Sequence, residues 1–129
     1  MNIFYLSTDP RQAAEWMVDR HVAKMSLESA QLLCTAHRLI DGTEYQGSTA
    51  TGRKARRGRL DDHRDLTFYS ATHINHPSAV WCRSSVENYS WLVDHLYGLM
   101  TEYTYRYGKK HKIDQDGLAY ALQSPPMNL

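Results

Sequence analysis

Between residues 11 and 40, apolar side chains recur at steps of three and four: Ala14, Met17, Val18, Val22, Met25, Leu32, Leu33, Ala36 and Leu39. That is the helical period. Ser7-Thr8-Asp9-Pro10 supplies a start, with Asp9 as N-cap and Pro10 at the first helical position. Asp41-Gly42 supplies a stop. The run holds no glycine or proline and is long for one globular helix, so a break is expected near Asp19. A second periodic run uses Val86, Tyr89, Leu92, Val93, Leu96, Leu99, Met100 and Tyr103, and Gly108 ends it. Ser84-Ser85-Val86-Glu87 reads as a capping box at its start. Asn75-His76-Pro77 opens a shorter helix just before, and residues 115–122 predict a last one, closed by Pro125-Pro126. Residues 3–6 are expected to be a short extended segment.

Residues 43–60 carry neither period. Gly47, Gly52 and Gly58 punctuate them, with Ser48, Thr49 and Thr51 between. They read as a long loop, which inside a compact domain is usually functional or disordered. The expected fold is therefore all-α: one compact domain over residues 1–129, of three to five helices, with one long basic loop.

Composition narrows the function classes. The chain has 129 residues, enough to bury a core without a disulfide or metal. No apolar run is long enough to span a membrane, and the first residues lack a basic n-region. Cys34 and Cys82 form no motif and read as buried thiols, which points to a cytoplasmic protein. The formal net charge is only +1, so nucleic-acid binding would have to come from local clustering. Such a cluster exists: Arg53, Lys54, Arg56, Arg57 and Arg59 put five cations in seven positions. Lys109 and Lys110 form a second. Against them stand Asp61, Asp62 and Asp65, which neutralise part of the charge. The bland alternative is a solvated loop.

His21 and Glu28 are the first catalytic candidates. Seven helical positions turn about 700°, so both side chains fall on one line beside the apolar stripe. A carboxylate there is partly desolvated and available for proton transfer. The competing reading is a polar pair that fixes helix packing, and Lys24 could pair with Glu28. His73 and His76 are three apart, and His76 adjoins a helix start, where it suits a cap or a phosphate contact. With Asp19 and His21 they could hold a metal only if the fold gathered them, and none is expected. Trp81, Arg83, Asn88 and Tyr89 belong to an aromatic-rich stretch. Aromatics and arginine can stack on an extruded base, although most such residues serve cores. There is no P-loop, GxGxxG or GxSxG, so phosphate-cofactor enzymes are not expected.

Taken together, Asp9-Pro10, Asp19-Arg20-His21-Val22-Ala23-Lys24-Met25, Glu28-Ser29-Ala30-Gln31, Asn75-His76-Pro77 and Glu102-Tyr103-Thr104-Tyr105-Arg106-Tyr107-Gly108-Lys109 resemble a family of small phage-encoded proteins. That family is distantly similar to the pyrimidine-dimer DNA glycosylases of the endonuclease V type. The likeness to the phage proteins covers most of residues 1–112. The likeness to the glycosylases rests on the chain start, the Asp-x-His step, a Glu seven residues after that His, and a later His entering an aromatic-rich helix. It implies a compact all-α enzyme, an α-amine nucleophile at Met1, and Glu28 as acid/base with His21 beside it. An α-amine ordinarily titrates near pH 8, at about 7.7–8.0, so a useful neutral fraction exists at neutrality. The chain departs from the glycosylases in keeping Met1 before Asn2 and in ending without an aromatic tail.

The sequence thus predicts a DNA-acting protein, a DNA glycosylase/AP-lyase-like enzyme without cofactor, placed in the host cytoplasm if phage-encoded. Arg53, Lys54, Arg56, Arg57, Arg59, His76, Arg83, Lys109 and Lys110 would contact DNA. Trp81, Asn88 and Tyr89 would line a base pocket. Two alternatives stay open: a phage enzyme modifying DNA bases or nucleotides on the same fold, and a non-enzymatic phage protein binding a host or defence factor. Oligomeric state is not legible.

Overall fold

A computed structural model of the chain describes residues 2–129; Met1 lies outside the described residues. The first helical run is broken as expected. Helix α1 spans Pro10–Glu15, and the Asp9 carboxylate accepts from the Arg11 and Gln12 N–H groups. Helix α2 spans Asp19–Ile40.

The all-α expectation is corrected in the next segment. Residues 43–60 are not a loop but an antiparallel β-ribbon, β1 (Thr43–Ser48) and β2 (Lys54–Arg59). The register pairs Thr43 with Arg59, Tyr45 with Arg57, Gln46 with Arg56 and Ser48 with Lys54. Gly52, at φ +84°, turns the chain between the strands. The fold is therefore mixed, with seven helices and this two-stranded sheet among the described residues. The remaining helices are α3 (Arg64–Thr67), α4 (Pro77–Cys82), α5 (Val86–Tyr107), α6 (Lys112–Gln115) and α7 (Leu118–Ala121). The single helix expected over residues 115–122 is two short ones, separated by Gly117 at φ +76°. No helix of the described residues is long and apolar enough to cross a membrane.

Helices α2 and α5 run antiparallel along each other. The His37 ring meets the Tyr89 hydroxyl at 2.8 Å, and the Tyr107 hydroxyl donates to the Asp19 carbonyl at 3.1 Å. Their shared core holds Leu32, Leu33, Leu92 and Leu96, all at most 1% exposed. Helix α1 lies on α5, where Gly98 leaves room for the Ala14 methyl and the Arg11 backbone. The α5 start is one residue later than the capping-box reading. Ser85, not Ser84, is the N-cap, and its Oγ accepts from Asn88 N–H at 3.0 Å. Gly108, left-handed at φ +73°, ends the helix as expected.

The ribbon is fixed to the helices by Arg38, a side chain the pattern gave no reason to bury. Arg38 is 7% exposed. Its guanidinium donates to the carbonyls of Gly58 (2.8 Å), Asp65 (3.0 Å), Phe68 (2.7 Å) and Tyr69 (2.7 Å). It also donates to the Asp65 carboxylate at 2.7 Å. Gly42 and Gly58 permit this approach, because a Cβ at either would overlap the Arg38 carbonyl oxygen. Glycine here serves close backbone contact rather than loop freedom. Gly58→Ala is expected to cost about 1–3 kcal/mol by overpacking, measured as a lowered urea midpoint at an unchanged slope. A midpoint equal to that of the parent would show that the ribbon shifts freely.

The start of the chain is also not the extended segment expected. Leu6 N–H donates to the Phe4 carbonyl at 2.8 Å, and Phe4 sits at φ +57°. A left-handed bulky residue costs roughly 1–2 kcal/mol. The Phe4 ring stacks on His21 at 4.6 Å with 13° between the planes, a contact that offsets part of this.

Candidate nucleic-acid interface

Two features of the fold gather the residues expected to contact DNA: the β-ribbon and an aromatic cleft. Strand β2 carries four of the five cations of the basic segment, Lys54, Arg56, Arg57 and Arg59, and Arg53 directly precedes it. Strand alternation divides them between its two faces. Lys54 and Arg56 share a face with Gln46 and Ser48, whereas Arg57 and Arg59 share the other with Tyr45. Arg56 pairs with Glu44, Arg57 donates to the Ala71 carbonyl, and Arg59 lies over the Tyr45 ring at 5.1 Å. Arg53 and Lys54 are exposed at the ribbon's outer end.

The cleft has a volume of about 700 Å³ and is walled by Phe4, Tyr5, Trp81 and Trp91. Trp81 and Trp91 meet edge to face, 5.9 Å apart at 84°, and Tyr5 leans on Trp91 at 5.0 Å. Asn88 lines it and donates from Nδ2 to the Trp81 carbonyl at 2.9 Å. Trp91 donates from Nε1 to the Thr8 carbonyl at 2.9 Å. Behind Trp91 stacks His95, which faces the Pro10 carbonyl at 2.9 Å. Burial keeps the His95 pKa below its ordinary value, and the Pro10 and Ile3 carbonyls oppose that in part.

Short helix α4 contributes to the cleft. Pro77, Ser78 and Trp81 line the cleft, and Arg83 follows the helix as its C-cap. Burial lowers the Arg83 pKa, and its Nη1 is shut off from solvent with no hydrogen-bond partner among the described residues.

Of the expected base-pocket residues, Trp81 and Asn88 are in the cleft and Tyr89 is not. Tyr89 is 0% exposed, and its hydroxyl donates to the Leu122 carbonyl at 2.7 Å. Its single proton is spent there, so His37 must donate to it from Nε2. The His37 Nδ1 lone pair then accepts from Arg64 Nη1 at 2.9 Å. The ring is neutral, and burial beside Arg64 holds its pKa down at about 4. Arg64 continues to Asp41 (2.8 Å) and Asp62 (2.8 Å), and Asp41 accepts from the Met127 and Asn128 N–H groups. This polar network had no local signal, because its members come from four separate parts of the chain.

The expected DNA contacts also divide. His76 caps α4, accepting from Ser78 N–H at 3.1 Å. Lys109 and Lys110 follow α5, at the end that meets the start of α2. The ribbon follows the other end of α2, whose 22 residues span about 33 Å. The two basic clusters are therefore not one patch. Glu28 and His21 share α2 as expected, and Glu28 is half-buried beside buried Met25 and Leu32. Neither lines the cleft; His21 is covered by Phe4. The proposed nucleophile, the amine of Met1, lies outside the described residues.

Among the described residues no three His, Cys, Asp or Glu side chains converge to hold a metal. Asp19 pairs with Arg106, and His73 meets the Thr72 hydroxyl. The Cys34 and Cys82 thiols are buried, which pushes both up to about 12 and leaves them poor nucleophiles. No protein-family model, curated protein or solved structure matches the chain.

Proposed function

We propose that the protein binds DNA, with the β-ribbon on the phosphates and an unstacked base in the aromatic cleft. The observation that carries this reading is the aromatic cleft lined by Tyr5, Trp81 and Trp91, on a fold whose ribbon exposes Arg53 and Lys54 at its outer end. A stacking surface and a cationic surface together are what extrusion of a base requires. The major groove also admits a two-stranded ribbon.

The reaction we propose is the one the resemblance implies. The Met1 amine nitrogen bonds to the sugar C1′, and the base leaves with the electron pair of the glycosidic bond and takes up a proton. The nitrogen loses a proton and its lone pair opens the sugar ring, breaking the C1′–O4′ bond as O4′ takes up a proton; the resulting iminium then loses a C2′ proton, and the C3′–O bond breaks to release the phosphate. Glu28, which is outside the cleft lining, is the group the resemblance assigns to these proton transfers.

The test is duplex binding followed by fluorescence anisotropy across a salt series. Each phosphate contact contributes about 0.9 to the slope of log K against log salt, so R53A/K54A is expected to lower that slope by roughly 2 units. Failure of the parent protein to bind, or an unchanged slope, would remove the ribbon from the interface. Borohydride added to the same protein on abasic duplex is expected to trap a covalent adduct, reduced in Glu28→Gln. Binding without an adduct would leave a DNA-binding protein and discard the lyase reaction.

A further inference from the structure

We infer that the aromatic cleft is selective for a positively charged base, a purine alkylated on a ring nitrogen; this rests on the reading above that the cleft takes a base. The neutral polar groups of the lining do not choose among bases. The Asn88 amide keeps an acceptor and one N–H, and Asn2, Ser78 and Tyr5 carry donors as well. Charge is what the lining can discriminate. Phe4, Tyr5, Trp81 and Trp91 supply aromatic surface, and ring faces carry a negative potential that attracts cations. Trp91 is held from outside the cleft, by its Nε1 donating to the Thr8 carbonyl and by His95 stacked behind it. Burial keeps His95 neutral at pH 7, so no positive charge backs that wall.

Among the described residues, Glu87 is the one charged side chain in the lining. Its state follows from the one-residue shift at the start of α5. With Ser84 as N-cap, Glu87 would have turned back to close a capping box. With Ser85 as N-cap, the third helical position is Asn88 instead. The Glu87 carboxylate is consequently left exposed, in no hydrogen bond or ion pair among the described residues. An unpaired carboxylate beside aromatic walls is complementary to a flat cation and indifferent or repulsive to a neutral ring edge rich in acceptors.

A cationic base also fits the reaction proposed above. A neutral base that leaves with the electron pair of the glycosidic bond has to take up a proton. A cationic base takes the same pair and departs as a neutral molecule, while the attacking amine nitrogen becomes the cation. Glu28 lies outside the cleft lining, and such a base needs no proton from it at that step. Glu87 is therefore assigned as the residue that reads the charge of the base.

The probes are two single-stranded thymidine pentamers whose central base is N1-methyladenine or N6-methyladenine. The two differ in where the methyl group sits, and only the first is cationic at pH 7. Their phosphates are the same, so the ribbon contributes equally to both. Binding to the full chain is read by anisotropy of the labelled strand and by tryptophan quenching. The N1-methyladenine pentamer is expected to bind at least about tenfold more tightly, and Glu87→Gln to reduce that ratio to about threefold, the share of the aromatic walls. Equal affinities, or a preference for the neutral base, would overturn the selectivity while leaving DNA binding in place. So would duplex binding with no pentamer binding. A tenfold ratio unchanged in Glu87→Gln would overturn the assignment of Glu87. Quenching by choline with neither pentamer bound would give the cleft to a small ammonium ligand and overturn a base as its occupant. No binding to pentamers or duplex would remove the DNA reading itself, and this inference with it.

Discussion

Arg38→Met is expected to lower the stability of the protein by about 2–5 kcal/mol, at about 1–3 kcal/mol for each of the two buried carbonyls, of Gly58 and Phe68, left without a donor. Methionine fills most of the volume, so the loss is not a cavity effect. It comes from what the guanidinium leaves behind. Four carbonyls, those of Gly58, Asp65, Phe68 and Tyr69, lose a donor, and the Asp65 carboxylate loses its cation. Unsatisfied buried acceptors each cost about 1–3 kcal/mol when nothing replaces the bond. Some are rescued by water, which keeps the sum inside the stated range. Chemical denaturation measures it. A loss below about 1 kcal/mol, with the ribbon amides still protected from exchange, would show that the ribbon is held by other contacts.

The second large effect is acid destabilisation that begins well above the carboxylate range. The His37 pKa is depressed from 6.5 to about 4 by burial and by Arg64. The unfolded chain therefore binds a proton that the folded one refuses between those values. Stability is fully present above pH 6.5 and is lost as pH falls toward 4, at up to about 1.4 kcal/mol per pH unit for each proton. His95 and His111 are also depressed by burial and add to the slope in the same direction. Below that window the paired Asp41, Asp62 and Asp65, all held under their ordinary values, lose their contribution in turn. Urea midpoints from pH 7 to pH 4 measure the effect, and His37→Gln is expected to flatten the curve. A midpoint constant over that range would mean that His37 is solvated.

What could be read in advance follows from how local each signal is. Asp9-Pro10, the break before Asp19, His76-Pro77 and the Gly108 stop are decided by residues within a turn of one another, and all are where the chain's pattern puts them. The ribbon escaped because it has almost nothing to alternate. Thr43–Ser48 is exposed along nearly its whole length, and Tyr45 is its one large apolar residue. Its glycines then pointed to freedom, when one of them, Gly58, marks contact with Arg38, as does Gly42 just before the ribbon. Helical spacing correctly grouped His21 with Glu28 on α2 but carried no information about Phe4, which covers the histidine. Tyr89 was legible as part of a periodic stripe, and that membership is what took it into the core, away from the cleft beside it.

The Arg38 clasp has a consequence for any binding the ribbon performs. One guanidinium ties β2 to both ends of α3, so the ribbon's position on the helices is settled when the chain folds. Flexible basic arms lose conformational entropy when they dock, and that loss weakens binding. This ribbon has already undergone its ordering. Its cations meet a partner as a preformed surface, and their attraction goes into affinity rather than into arranging the chain.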